Sequence, residues 1–270
     1  MEDSQNKISD GTSSKESFAD VVIQGLSANT QITLETVCDV TEDTQSYPIL
    51  LARSQPYDAS KPTVFLSAGI HGDEPAGVHA VIRFLNNDLP RYADRFNVIA
   101  LPCLNPSGFD TQVHNNASGL NLNGNFGAGN KNTVIKLVEK IIESLGPSVL
   151  LSVDLHEDNS GDQDGCYAYE MIAPETNRIA HRVLEVLDPA DICNKPIIYE
   201  EANHNGVVEV IVDQSKEVLG SLDWYVKIQG AQHAITIETP IEWPLEKRIQ
   251  AHLAMIHRGL EIVSRGENHE

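Results

Sequence analysis

The stretch TVFLSAGIHGDEPAGVHAVIRF, residues 63–84, limits the possible folds of this chain more than any other. Residues 63–69 form a short apolar run rich in aliphatic and β-branched side chains, which reads as a strand. Residues 75–88, PAGVHAVIRFLNND, read as a helix with Pro75 near its start, where a missing N–H leaves no helical bond unmade. Strand, glycine turn and helix therefore follow one another directly. The same alternation runs along the chain. Residues 32–40, 47–53, 97–104, 148–156 and 233–240 read as further strands, and 134–146, 177–187 and about 245–263 as further helices. Such alternation implies the α/β class, with a largely parallel or mixed sheet covered on both faces. In sheets of that kind, binding groups collect at the carboxyl ends of the strands.

With 270 residues and 41% hydrophobic content, the chain has enough apolar surface for a substantial core. A single domain is expected over residues 16–270, preceded by a polar segment, residues 1–15, whose Ser, Asp and Asn content predicts disorder. No run of about 18 apolar residues is present, and the N-terminus lacks the basic start and apolar stretch of a secretory signal. The expectation is a cytoplasmic protein that does not enter a membrane. Four cysteines at positions 38, 103, 166 and 193, with no C-x-x-C pair, are expected to be reduced thiols, mostly buried. A formal net charge of −20 argues against a nucleic-acid partner, whose phosphates would be repelled. That charge is either a self-repelling surface or a field that steers cationic substrates.

Three strand ends carry groups able to bind a metal or move a proton. In AGIHGDEPAG a turn presents His71 and Glu74, and zinc accepts both imidazole nitrogen and carboxylate oxygen. An H-x-x-E spacing alone arises by chance, so the position between strand and helix carries the weight. In VDLHED, alternation along a strand puts Asp154 and His156 on one face and Val153 and Leu155 on the other. A lone histidine there would more often be a satisfied structural group, but beside His71 and Glu74 it is a candidate third ligand. Two His and one Glu leave a fourth position open for water. In TIETP, Glu238 lies among apolar residues near a strand end, where desolvation raises a carboxyl pKa unless an ion pair offsets it. A raised pKa suits a general base, and a buried structural ion pair is the competing reading.

Taken in order, HGDE, NPSGFD, NLNGNF, DLHE, GSLDW and TIETP resemble the motif series of the zinc metallocarboxypeptidases, the funnelin family, to which the succinylglutamate desuccinylase and aspartoacylase group is related. The likeness spans about residues 67–240. It implies an α/β/α sandwich with a mixed, mostly parallel central β-sheet. It also implies one zinc ion (Zn2+) held by His71, Glu74 and His156, with Glu238 activating zinc-bound water to attack a carbonyl. Several positions depart from the pattern. Asn123 matches, but Gly124 stands where the family has an arginine that grips the substrate carboxylate, a grip that backbone cannot reproduce. Asn121 replaces an aspartate that accepts from the first histidine ligand. His114 aligns with the carbonyl-polarising arginine and is assigned that catalytic role. The family's mobile tyrosine falls near Ser215, with Tyr225, Tyr199 or Tyr167 as substitutes from elsewhere. Leu222 aligns with a specificity-pocket residue, and Arg53 or Arg178 could replace a missing charge.

The expected activity is that of a zinc-dependent hydrolase of carboxypeptidase type, a metallopeptidase acting on a peptide or small amide substrate through an atypical carboxylate anchor. The nearest alternative is an N-acyl amino acid deacylase. NPSGFD, TIETP and the helix and tail that follow Glu238 fit the peptidase branch better. A noncatalytic relative binding a ligand in the cleft is the third reading.

Overall fold

Continuous rather than alternating burial marks the centre of the sheet. Every residue of Thr63–Ala68 (β3) and of Asn97–Leu101 (β4) is buried, as a strand covered on both faces requires. The computed structural model describes residues 16–265 except 43, 44, 128, 130, 131, 162, 175 and 214–218, so the expectation for residues 1–15 lies outside the described residues. The remaining strands of the main sheet are Ile32–Glu42 (β1), Gln45–Ser54 (β2), Val149–Asp158 (β5), Tyr167–Ile172 (β6), Val207–Ile211 (β7) and His233–Pro240 (β8). They lie in the order β1-β2-β4-β3-β5-β8-β6-β7. The β4/β3, β3/β5, β5/β8 and β6/β7 pairs are parallel; β1/β2, β2/β4 and β8/β6 are antiparallel. The central sheet is thus mixed and mostly parallel, as expected.

Helices Pro75–Arg83 (α1), Pro106–Thr111 (α2), Thr133–Leu145 (α3), Ala180–Leu184 (α4), Leu222–Ile228 (α5) and Leu245–Ser264 (α6) flank it. On one face Leu66, Val153, Leu155 and Ile237 pack with Val81 of α1 and Ile256 of α6. On the other, Phe65 and Ile99 pack with Ile142 of α3 and Val226 of α5. The result is three layers, helix on sheet on helix. The four cysteines are unbonded, and Cys103, Cys166 and Cys193 are buried. Among the described residues, no helix is long and apolar enough to cross a membrane.

Some boundaries differ from the sequence reading. The helix expected over 177–187 covers only Ala180–Leu184. The helix expected over 75–88 continues beyond Arg83 as a π-helical turn, Phe84–Asp88. The strand expected to reach residue 104 stops at Leu101, after which the backbone N–H groups of Leu104 and Asn105 donate to Ala68 and Gly69 (3.1 and 2.8 Å). Strands β6 and β7 and helices α2 and α5 were not foreseen.

Candidate metal centre

Strands β3, β5 and β8 are parallel neighbours, so their carboxyl ends meet at one edge. After β3 the chain turns, and Glu74 occupies the N-cap position of α1 with φ −114° and ψ 70°. The turn is fixed by contact with α2. A Cβ on Gly72 would lie 2.0 Å from the carbonyl carbon of Gly108, so only glycine lets the two segments touch. Gly72 N–H donates to the carbonyl of His114 at 3.3 Å, and the Asn105 side-chain amide donates to the same oxygen at 3.2 Å. The His71 turn and the His114 loop are thereby held together.

The carboxylate of Glu74 sits between two imidazoles. His71 Nδ1 lies 2.7 Å from Glu74 Oε1, and His156 Nδ1 lies 3.0 Å from Oε2. Potential ligand atoms of the three residues lie within 4.8 Å of one another, and all three are buried. Two imidazoles and one carboxylate with ligand atoms this close form a donor set that fits zinc, which takes four ligands and so has one position beyond these three. His156 Nε2 lies 3.1 Å from Asp154 Oδ2, while Asp154 Oδ1 accepts from Ser67 Oγ at 2.7 Å. That chain fixes the ring orientation. Val153 and Leu155 lie in the apolar layer on the opposite face, as alternation requires. Burial works to raise the Glu74 carboxyl, but His156 and His71 bring it down to about 2. Burial likewise opposes charge on His156, yet Asp154 and Glu74 hold its pKa well above the ordinary imidazole range. His71 is pushed down by burial.

Glu238 on β8 is in register with His156 on β5. Its carboxyl makes no hydrogen bond among the described residues, and burial, opposed by His156 but reinforced by Glu74, Asp158 and Asp154, pushes its pKa well above the glutamate range. Beside it, Asp158 accepts from Tyr167 Oη at 2.7 Å and Tyr199 Oη at 3.1 Å. Two of the tyrosines considered from sequence therefore converge next to Glu238. Tyr225 instead donates to Glu143 at 2.8 Å, and Ser215 lies outside the described residues.

His114 stacks on His71 with ring centroids 3.7 Å apart and planes 21° from parallel. Its Nδ1 lies 3.2 Å from Asp73 Oδ1, and that hydrogen bond raises its pKa against the opposing effect of burial. Asn123 Oδ1 accepts from Leu222 N at 3.1 Å. Leu222 is 1% exposed and belongs to the same apolar cluster as Phe126 and Tyr225. Its neighbour Asp223 accepts from Thr236 Oγ1 at 2.7 Å, on the strand of Glu238. Gly124 has φ +81° and nothing within 4 Å of where its Cβ would be. His71 Nε2 and Asn121 Oδ1 are each buried without a partner, so the hydrogen bond expected between them is not made. Arg53 pairs with Glu35 at 3.4 Å and Arg178 with Glu209 at 2.6 Å, which engages both arginines away from these groups. No lysine or arginine bonds to Asp73, Glu74, Asp154, Asp158 or Glu238 among the described residues. Asp73 and Asp158 were overlooked in the sequence, although each adjoins a motif, in HGDE and DLHED.

Comparison with known proteins adds three findings. The model for the succinylglutamate desuccinylase/aspartoacylase catalytic domain matches residues 60–207, which include His71, Glu74, His114, Asn123 and His156 but stop short of Glu238. No curated protein matches the chain. Among solved structures, a candidate metallopeptidase from Shewanella denitrificans superposes with TM-score 0.75 at 22% identity, covering 90% of this chain and 88% of the other. A metallo-carboxypeptidase from Burkholderia cenocepacia gives 0.66 at 17% identity, over 92% of this chain and 69% of its own. Carboxypeptidase A from Helicoverpa armigera gives 0.62 at 15% identity, over 94% and 75%. These similarities establish a shared fold.

Proposed function

This chain belongs to the succinylglutamate desuccinylase/aspartoacylase catalytic-domain family, and we propose that it is a zinc-dependent hydrolase of carboxypeptidase type that cleaves a peptide or peptide-like amide. The observation that carries this reading is the placement of His71 Nδ1 and His156 Nδ1 around the Glu74 carboxylate, at 2.7 and 3.0 Å, with Glu238 in register beside His156. His71, Glu74 and His156 would hold the metal. A bound zinc supplies a Lewis acid that polarises a carbonyl and acidifies water. Glu238, with a raised pKa, takes a proton from water and returns it to the leaving amine. His114, whose pKa the hydrogen bond to Asp73 raises, donates to the developing oxyanion in place of an arginine.

Substrate anchoring follows from the charges present. Gly124 is exposed, and among the described residues no arginine or lysine bonds to the carboxylates of the site, so the proposed anchor for a terminal carboxylate is not a guanidinium at position 124. Asn123 contacts the substrate without an ionic grip, whereas Leu222, 1% exposed in the apolar cluster, offers it almost no surface, contrary to the pocket role expected of it from the sequence. The family match favours a second reading, hydrolysis of a small N-acyl amino acid. Likeness of fold to the carboxypeptidases favours the first. A mixed pool of peptides and N-acyl amino acids, incubated with zinc-loaded and chelator-stripped protein and read by mass spectrometry, separates them. Zinc-dependent cleavage of peptides supports the peptidase, cleavage only of N-acyl amino acids supports the deacylase, and no cleavage of either rejects both.

A further inference from the structure

Residues 156 and 157 face opposite sides of β5. His156 points to the candidate metal centre, whereas Glu157, 2% exposed, points into the layer formed by α1 and α6. There its carboxylate accepts from Ala76 N at 2.6 Å, in the first turn of α1, and from Arg248 Nη1, in the first turn of α6. Its own backbone N–H donates to Glu74 Oε2 at 3.1 Å. One residue therefore holds Glu74 twice, through the carboxylate itself and through the helix that follows it. Arg248 is also buried, at 8% exposure. Removing both ions from water is unfavourable, and an apolar pair of similar volume would often dock two helices as well. What an apolar pair could not do is accept from Ala76 N while fixing the peptide that carries His156 and bonds Glu74.

We propose that Glu157 and Arg248 are positioning residues that couple the geometry of the metal centre to the docking of α6. The proposal rests on the reading that His71, Glu74 and His156 hold a metal. Coupling between two equilibria is reciprocal: if docked α6 favours metal binding, bound metal favours docked α6. The molecule also supplies a control. Arg83 of α1 bonds both oxygens of Glu246 of α6 at 2.7 and 2.8 Å, so it joins the same two helices, but neither residue bonds any group of the centre.

The experiment uses the full chain, with zinc affinity read by competition against a chromophoric chelator and backbone hydrogen exchange followed with and without zinc. In the parent, zinc slows exchange over residues 245–252, the first turns of α6. Arg248→Met and Glu157→Gln each weaken zinc binding roughly 10- to 100-fold, the range for residues that orient ligands. At saturating zinc Arg248→Met keeps protection at residues 71–76 and loses it at 245–252, and Arg248→Lys recovers part of the affinity. Arg83→Met changes zinc affinity by less than about twofold, as expected for a site with no shared partner. Equal losses from Arg83→Met and Arg248→Met, or an unchanged affinity in Arg248→Met, would overturn the coupling. Should Arg248→Met fail to fold, Glu157→Gln decides, because the amide oxygen can still accept from Ala76 N. A parent that binds no zinc rejects the metal centre itself, whereas a zinc-binding parent with indifferent variants rejects only the coupling.

Discussion

Replacing Gly124 by arginine tests the view that this cleft lacks an ionic anchor for a terminal carboxylate. Two energies decide the outcome. The backbone at Gly124 has φ +81°, and an L side chain there costs roughly 1–2 kcal/mol of strain. Nothing among the described residues lies within 4 Å of the new Cβ, so the Cβ itself adds no steric cost. A guanidinium reaching a carboxylate gains roughly 1.5–3 kcal/mol for a charge-assisted hydrogen bond. The strain acts on folding, while the gain acts on substrate, so the two are measured separately. Thermal unfolding should fall by a few degrees, at roughly 2–4 °C per kcal/mol for large domains. The kinetic readout is the ratio of kcat/KM for a peptide with a free C-terminal carboxylate to that for its C-terminal amide. In the parent that ratio stays near one; in Gly124→Arg it rises about 10- to 100-fold, since 1.4 kcal/mol is a factor of ten. A parent that already prefers the carboxylate strongly, or a folded Gly124→Arg with an unchanged ratio, refutes the reasoning.

Two further outcomes are expected. Asn121→Asp restores the carboxylate that the resemblance places opposite the first histidine ligand, at a position whose Oδ1 is buried without a partner, and should tighten zinc binding about tenfold, read by chelator competition; an unchanged affinity means the two groups do not interact. His233 is buried and, through desolvation and nearby Lys227, has its pKa lowered from 6.5 to about 4. The folded state thus keeps it neutral while the unfolded chain takes up a proton below 6.5, so stability is lost as pH falls from about 6.5 to 4. The full loss is about 3 kcal/mol at about 1.4 kcal/mol per unit. Denaturant titrations of His233→Gln should show a flatter profile across that window, and a slope equal to the parent's rules the histidine out as the cause.

The centre of the fold was legible because β3, β4, β5 and β8 carry their burial in their own composition. The β3 turn also announced itself, with glycines before Pro75 and a carboxylate at the helix cap. The edge was not. Strand β6 contains Glu170, whose buried carboxylate accepts from Ile179 N at 2.7 Å, a partner that only the folded chain supplies. The same tertiary bond lies at the start of α4, which is shorter than its sequence suggested. Within the site, His71, Glu74, His156 and Glu238 were picked out by strand ends and motif order, and the fold brings them together. The stacking of His114 on His71 was not readable, since it depends on the close approach of Gly72 to Gly108. Nor was the setting of Leu222, where one step along α5 separates an apolar core position from Asp223 on the Glu238 side.

The central claim is that zinc-dependent hydrolysis here runs through Glu238. Its most direct test is the turnover of a cleaved amide by zinc-loaded parent and Glu238→Gln, each confirmed to carry the same zinc. The account predicts equal zinc content and a loss of at least about 100-fold in kcat for the variant, the lower range for removal of a general base. Equal turnover in the two proteins would contradict it.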